Sequence, residues 1–267
     1  MIENEEIRIG VLDLDTISPK TKEDPLGGAV YLIIGPSGSG KSVLIKDLMF
    51  AKRHFIPSCV AVSETEEVNH TYQKHIPPLF IYSKMIPNLM GNIQNRQRIS
   101  KQNLPNPWLT LVLDDCMNKS SNFTDDDQIA LFKISRHFNM YVLISCQHSL
   151  DLKPALRDNC AGVFILRHDN EKNREKIYTN FASVIPNRKM FDSLMSELSS
   201  DYTAMFIDMR NPSQNWQDKI KWYKARDLSE FGDWSATSLD VQQYNDERYN
   251  PDYDDIYLKI AQMPKRV

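Results

Sequence analysis

Residues Gly35-Pro36-Ser37-Gly38-Ser39-Gly40-Lys41-Ser42 match the pattern G-x-x-x-x-G-K-[ST] and follow an apolar run, Ala29-Val30-Tyr31-Leu32-Ile33-Ile34. No other feature constrains the fold as strongly, because a glycine-rich loop between a buried strand and a helix makes a cradle for phosphates. Gly35, Gly38 and Gly40 free the backbone to turn successive amide N–H groups inward around a triphosphate. A helix expected from about Lys41 to Arg53 points its positive N-terminal end at the same place. Lys41 should then reach the β- and γ-phosphates, and the Ser42 hydroxyl should ligate Mg2+. The competing reading is a flexible Gly/Ser loop with an incidental lysine. The strand before the loop and the helix after it argue against that.

The 267 residues can bury a full core and suit one large α/β domain better than two separate ones. No apolar run has the length of a membrane span, and the acidic start Met1-Ile2-Glu3-Asn4-Glu5-Glu6 is unlike a signal peptide, so an intracellular protein is expected. Cys59, Cys116, Cys146 and Cys160 have no C-x-x-C spacing and read as buried reduced thiols. A formal net charge of −3 supplies no bulk field to attract nucleic acid, so any DNA contact must come from a local basic surface.

Along the chain, residues 1–24 read as an N-terminal strand, Ile7 to Leu14, and a polar connector. Residues 25–227 carry the P-loop domain, and 228–267 form an acidic, tyrosine-rich tail expected to lie on the surface. Short strands are expected at Cys59 to Ser63 and Leu79 to Tyr82, with a largely helical segment from about Ser83 to Asn103 carrying Arg96, Arg98 and Lys101. Late elements are helices from about Glu171 to Phe181 and Asn187 to Ser199, then strands at Tyr202 to Asp208 and Lys219 to Lys224. Asp125-Asp126-Asp127 opens a helix, and the helix dipole accounts for the charge there.

The second stretch that carries chemistry is Trp108-Leu109-Thr110-Leu111-Val112-Leu113-Asp114-Asp115, an apolar strand ending in two acids. Strands buried on both faces end at the crevice where open α/β sheets bind ligands. Asp114 is placed to hold Mg2+ and Asp115 to act as general base on the attacking water. Met140 to Cys146 is another buried strand, and Gln147 stands at its carboxyl end. In P-loop proteins with an additional strand between the first two, the strand after the acidic one fills that position. Gln147 then acts as a sensor of the γ-phosphate, since an amide can donate to phosphate and accept from water. Arg157, after Pro154, is a candidate to stabilise charge in a neighbouring subunit's site; Arg136 and Arg167 are rivals, and a surface ion pair is the ordinary reading for each.

With these residues placed, the chain resembles the genome-packaging ATPases of nucleocytoplasmic large DNA viruses, the poxvirus-type branch of the FtsK/HerA superfamily. The resemblance spans about Gly28 to Lys224. It rests on the P-loop, on Leu111-Val112-Leu113-Asp114-Asp115-Cys116, on Ser135-Arg136-His137 before the strand ending in Gln147, on Leu156-Arg157-Asp158-Asn159, and on His70-Thr71-Tyr72-Gln73-Lys74-His75-Ile76-Pro77-Pro78. It implies an α/β P-loop NTPase fold of the additional-strand (RecA/FtsK-like) type with a mainly parallel sheet. It also implies ATP and Mg2+ as cofactors, Asp115 in the catalytic acidic position, Gln147 as sensor and Arg157 as a finger acting in trans. The implied protein is a ring homo-oligomer, a pentamer or hexamer, that couples ATP hydrolysis to translocation of double-stranded DNA into a preformed capsid. Capsid or portal-site proteins are implied as partners, and the host cytoplasm and virion as its location. Bacterial FtsK-type motors usually carry glutamate at the position of Asp115. If DNA runs through a pore, Arg96 to Lys101 or Asn187-Arg188-Lys189 are candidate contacts.

Two other classes share a P-loop. A nucleoside kinase needs an acceptor pocket and an arginine-rich lid, and no lid-like stretch is present. A nucleotide-gated assembly protein would form rings without DNA-dependent turnover.

Overall fold

The computed structural model describes residues 9–116, 125–147, 154–157, 159–198 and 201–251. Asp158, the tail acids Asp252, Asp254 and Asp255, and Met1 to Arg8, which include Ile7 and Arg8 of the first expected strand, lie outside them. In chain order the first half contains β1 (Gly10–Val11), β2 (Ala29–Ile34), α1 (Lys41–Lys52), β3 (Ser58–Ser63), α2 (Glu66–Asn69), β4 (Ile81–Tyr82), α3 (Leu89–Asn103) and β5 (Leu109–Asp114). There follow α4 (Asp125–Ile134), β6 (Met140–Cys146), α5 (Pro154–Arg157), β7 (Gly162–Ile165), α6 (Glu171–Ile177), α7 (Arg188–Leu198), β8 (Thr203–Asp208), α8 (Trp216–Lys219), β9 (Ile220–Lys224) and α9 (Leu239–Arg248).

The strands form one sheet in the order β1-β9-β8-β7-β2-β6-β5-β3-β4. From β7 to β4 every pairing is parallel, and β8 is antiparallel to both β7 and β9. β6 lies between β2 and β5, so the chain is an α/β P-loop protein of the additional-strand type. The runs that read as two-sided strands are two-sided: every residue of β2, β5 and β6 is buried. Their side chains alternate between two cores. Val30, Leu111, Val142 and Ile144 pack with Met90, Leu131 and Phe191 from α3, α4 and α7. Tyr31, Ile33, Val112 and Leu143 pack with Leu44, Ile45 and Leu48 of α1.

Gly28 sets the entry to β2. Its N–H donates to Arg136 O at 3.0 Å, and a Cβ there would stand 2.0 Å from Ser135 O and 2.4 Å from Met140 O. Those are backbone atoms of the chain entering β6, so they cannot turn aside as a side chain could. Gly28→Ala is expected to cost about 1–3 kcal/mol of stability, checked by urea unfolding.

Three elements differ from their expected form. The first strand shrinks to Gly10–Val11, because Asp13 caps a 3-10 turn at Leu14–Thr16 by accepting the Asp15 N–H at 2.9 Å. Lys52 then takes the Leu14 and Ile17 carbonyls at 2.6 and 3.2 Å, which draws that segment beneath α1. Leu79 and Phe80 lie in a 3-10 turn, Pro78–Phe80, leaving only Ile81–Tyr82 as strand. α6 passes at Tyr178–Ala182 into a π turn. The segment after β9 is seated on the domain: Ala236 N–H donates to His75 O and Asn245 Oδ1 accepts the Leu79 N–H.

Burial also sets a response to alkali. It pushes the Cys59 thiol and the Tyr72 and Tyr141 hydroxyls up, and Cys116 up to about 12 from 9.0. Above pH 9 the unfolded chain loses protons that the folded chain keeps, so these groups lower stability as pH rises. Lys52 acts in the opposite sense. Burial lowers it from 10.5 to about 8, so from pH 8 to 10.5 its deprotonation favours the folded state. Several acids oppose one cation. The melting temperature is expected to fall as pH rises beyond 9, measurable by calorimetry.

Candidate nucleotide site

The carboxyl ends of adjacent parallel strands assemble the site. β2 and β6 stay in register to their last residues, Ile34 opposite Cys146, and the Gly35 N–H donates to Cys146 O at 3.1 Å. Gln147 therefore starts beside the P-loop. On the other side of β6, pairing of Leu113 with Ile144 brings Asp114 next to Ser145.

Within the loop, Gly40 has φ 97° immediately before α1, a conformation that a side-chain-bearing residue adopts only under strain. α1 has no side-chain cap at its start, so its first amides face the loop. Lys41 is buried, and its Nζ donates to Gly35 O at 2.9 Å and Pro36 O at 3.3 Å. Asp115 Oδ2 stands 3.6 Å from that ammonium.

Ser42 Oγ lies 3.5 Å from Asp114 Oδ2. Asp114 is only 5% exposed; its Oδ1 accepts from Ser145 Oγ at 2.5 Å and its Oδ2 from the Tyr72 hydroxyl at 2.9 Å. Burial raises the Asp114 carboxyl above its ordinary range, while the bonds from Ser145 and Tyr72 and the charge of Lys41 oppose that rise. Asp115 takes the left-handed conformation, φ 54°, which aspartate tolerates better than most residues. Its N–H donates to Ser145 Oγ at 2.8 Å, and its Oδ2 accepts from Gln147 Nε2 at 3.1 Å.

Lys41, Ser42, Asp114, Asp115 and Gln147 are thus brought together, in contact through this chain of distances. Gly35, Pro36, Ser37, Gly38 and Ser39 form the loop around them, with Ser39 Oγ closing it on Pro36 O at 2.8 Å. Arg157 is not part of this group. It is 7% exposed, donates to Asn180 Oδ1 and lies with its guanidinium 5.7 Å from the Phe181 ring. Arg136 and Arg167 are exposed, and Arg167 pairs with Asp169 at 2.8 Å. Among the basic residues considered for DNA, Arg96 is turned onto Ser58 Oγ at 2.8 Å, while Arg98, Lys101 and Lys189 are exposed.

Two residues around Asp114 carry no functional reading from the sequence. Ser145 is a polar interruption near the end of an apolar run, and that is its only local signal. Tyr72 arrives from a separate segment, folded by the Glu66 carboxylate, which accepts the N–H groups of Thr71, Tyr72 and Gln73 at 3.1, 2.9 and 3.1 Å.

The site opens into a cleft of about 1040 Å3 that continues past the P-loop to Lys224, Arg226, Asp227 and Trp234. An ammonium, the uncapped start of α1, two carboxylates and a terminal amide suit a phosphate chain with its counterion. Among the described residues, no helix is long and apolar enough to cross a membrane.

No protein-family model matches the chain. It is 42% identical over 222 residues to protein 088R of Invertebrate iridescent virus 3, covering 82% of this chain and 85% of that one. It is 41% identical over 225 residues to protein 015R of Frog virus 3, covering 83% of this chain and 70% of the relative. Among solved structures, it resembles the genome packaging NTPase B204 of Sulfolobus turreted icosahedral virus 2 in complex with AMPPCP. That match has TM-score 0.56 and 15% identity over 74% of this chain and 98% of B204. The conjugation coupling protein TcpA of pCW3, with ATPγS, matches with TM-score 0.54 and 13% identity over 78% of this chain and 63% of TcpA. At these identities the likeness is one of fold, that of the FtsK/HerA type of P-loop ATPases.

Proposed function

The chain belongs to the family of large-DNA-virus proteins that includes 088R and 015R, and from that premise we propose an ATP-hydrolysing motor that moves double-stranded viral DNA into a preformed capsid. The observation that carries this reading is the meeting of Lys41, Asp115 and Gln147 at the ends of β2, β5 and β6, beside the Ser42–Asp114 pair. Nucleotide-hydrolysing motors require that set: a phosphate-binding cation, a metal position, a base and a sensor.

In this reading backbone amides of the loop between Ser37 and Ser42 and the Lys41 ammonium hold the β- and γ-phosphates. Ser42 and Asp114 offer oxygen donors of the kind Mg2+ prefers, and the bound ion would neutralise charge on the phosphates. Asp115 takes the proton of the attacking water, and Gln147, already on Asp115, orients that water. The poxvirus-type branch and action in the host cytoplasm are parts of the same proposal. They rest on the resemblance as a whole, carried by Gly35 to Ser42, Leu111 to Cys116, Ser135 to His137 with Gln147, Leu156 to Asn159 and His70 to Pro78. The unit doing this work is the P-loop domain, 25–227, operating as a ring with capsid or portal-site proteins as partners.

An arginine serving the neighbouring site must reach beyond its own subunit. Arg157, the position implied by the resemblance, would have to leave Asn180 and Phe181 to do so, whereas Arg136 and Arg167 already stand in solvent. Mixing Lys41→Ala subunits with each Arg→Ala variant separates them. Turnover returns only for an arginine that works across the interface.

Phosphate release with and without duplex DNA tests the motor. Stimulation by DNA that weakens steeply with salt supports it; phosphoryl transfer to an added nucleoside would replace it with a kinase. Tyr72→Phe removes one of the bonds orienting Asp114. It is expected to raise the Mg2+ concentration for half-maximal turnover about 10-fold while leaving the rate at saturating Mg2+ near wild type.

A further inference from the structure

We propose that the base and ribose of the nucleotide lie on the β8–β9 side of the P-loop, stacked on Tyr202 and bounded by the segment Ala225 to Ser229, and that this subsite favours purines. The inference rests on the nucleotide-binding reading above and extends it from the phosphates to the rest of the ligand.

The topology supplies the first argument. β8 is antiparallel to β7, so it begins at the edge where β2 ends, and β9 returns to finish at that same edge. Tyr202, just before β8, and Lys224, the last residue of β9, therefore flank the P-loop on the side away from Asp114. The metal position and the catalytic carboxylate occupy the β5 side, so a nucleoside attached to those phosphates is directed toward β8 and β9. The cleft of about 1040 Å3 has room there beyond a phosphate chain, and its walls are Tyr202 and residues 224–229.

Tyr202 supplies the second. Its ring approaches Gly40 so closely that a Cβ there would lie 3.3 Å from Cδ1, yet the residue remains 68% exposed. Its backbone has φ 54°, costly for an aromatic residue, and strain of this kind collects at ligand sites. An aromatic ring held in a strained pose against a phosphate loop and left uncovered is a stacking platform.

The opposite wall is rigid. Asp47 of α1 accepts from the Tyr223 hydroxyl at 2.6 Å and from the Arg226 N–H and Nε at 2.8 Å each. Trp234 stacks on His75 at 3.8 Å and meets the edge of Phe50 at 5.3 Å. Lys224 is paired with Asp201, tying the start of β8 to the end of β9. A preformed slot between an aromatic platform and a braced loop rewards the larger stacking area of a purine.

Calorimetric titration with non-hydrolysable ATP and CTP analogues and with inorganic tripolyphosphate, all with Mg2+, tests this. In wild type the ATP analogue should bind more tightly than the CTP analogue. Tyr202→Ala should weaken the ATP analogue about 10-fold, narrow the gap to CTP and leave tripolyphosphate unchanged; Tyr202→Phe should retain wild-type affinities. If Tyr202→Ala binds the ATP analogue as wild type does while Lys41→Ala loses it, the base subsite is overturned and the phosphate site stands. If Lys41→Ala also binds normally, both fall.

Discussion

Asparagine in place of Asp115 is expected to leave ATP bound but to slow its turnover by about 10²–10⁴-fold, the range associated with loss of a positioned general base. The substitution preserves shape. The backbone N–H still meets Ser145, and the left-handed turn that asparagine shares with aspartate is retained. What is lost is a basic oxygen 3.6 Å from Lys41 and 3.1 Å from Gln147. Binding measured by calorimetry and turnover measured by phosphate release should therefore separate. A variant turning over at the wild-type rate would show that Asp115 takes no proton from water, and would move the base elsewhere. Asp114→Asn should behave differently, with its main loss appearing as a higher Mg2+ requirement, because that carboxylate faces Ser42 rather than the ammonium.

Asp47→Ala is expected to destabilise the fold by about 3 kcal/mol, toward the lower end for breaking a buried ion pair because Arg226 is partly in solvent. The Asp47 side chain is fully buried, while that of Arg226 is 42% exposed. Truncation leaves the Tyr223 hydroxyl and the Arg226 guanidinium and N–H without their shared acceptor. Urea unfolding measures the loss, and a double-mutant cycle with Tyr223→Phe isolates the hydroxyl's part. Because Asp47 lies on the P-loop helix and Arg226 after β9, the damage should also reach nucleotide affinity through the loosened 225–229 wall. A variant within about 0.5 kcal/mol of wild type would mean that solvent satisfies these groups as well as Asp47 does.

Gly35 to Ser42, the apolar runs of β2, β5 and β6, and the acids and amide that close them were all legible in the linear order of residues. Loop glycines, two-sided hydrophobic runs and polar strand ends are local patterns, each written within a few consecutive positions. The place of the additional strand came from the resemblance, and the pairing of β6 with both β2 and β5 bears it out. The contacts of Tyr72 and Ser145 with Asp114, the clamp of Asp47 on Arg226 and the inward turn of Arg157 were not legible in that order. Each joins positions far apart in the chain through side chains whose identities are common and whose neighbours carry no periodic signal. The short first strand belongs with them: its residues alternate as a strand should, but Lys52 takes the Leu14 and Ile17 carbonyls as that segment enters the core. Short-range patterning therefore accounts for which elements exist and where phosphates can bind. Packing accounts for which side chains meet, because a hydrogen bond acts over about 3 Å and depends on where the whole fold sets both partners.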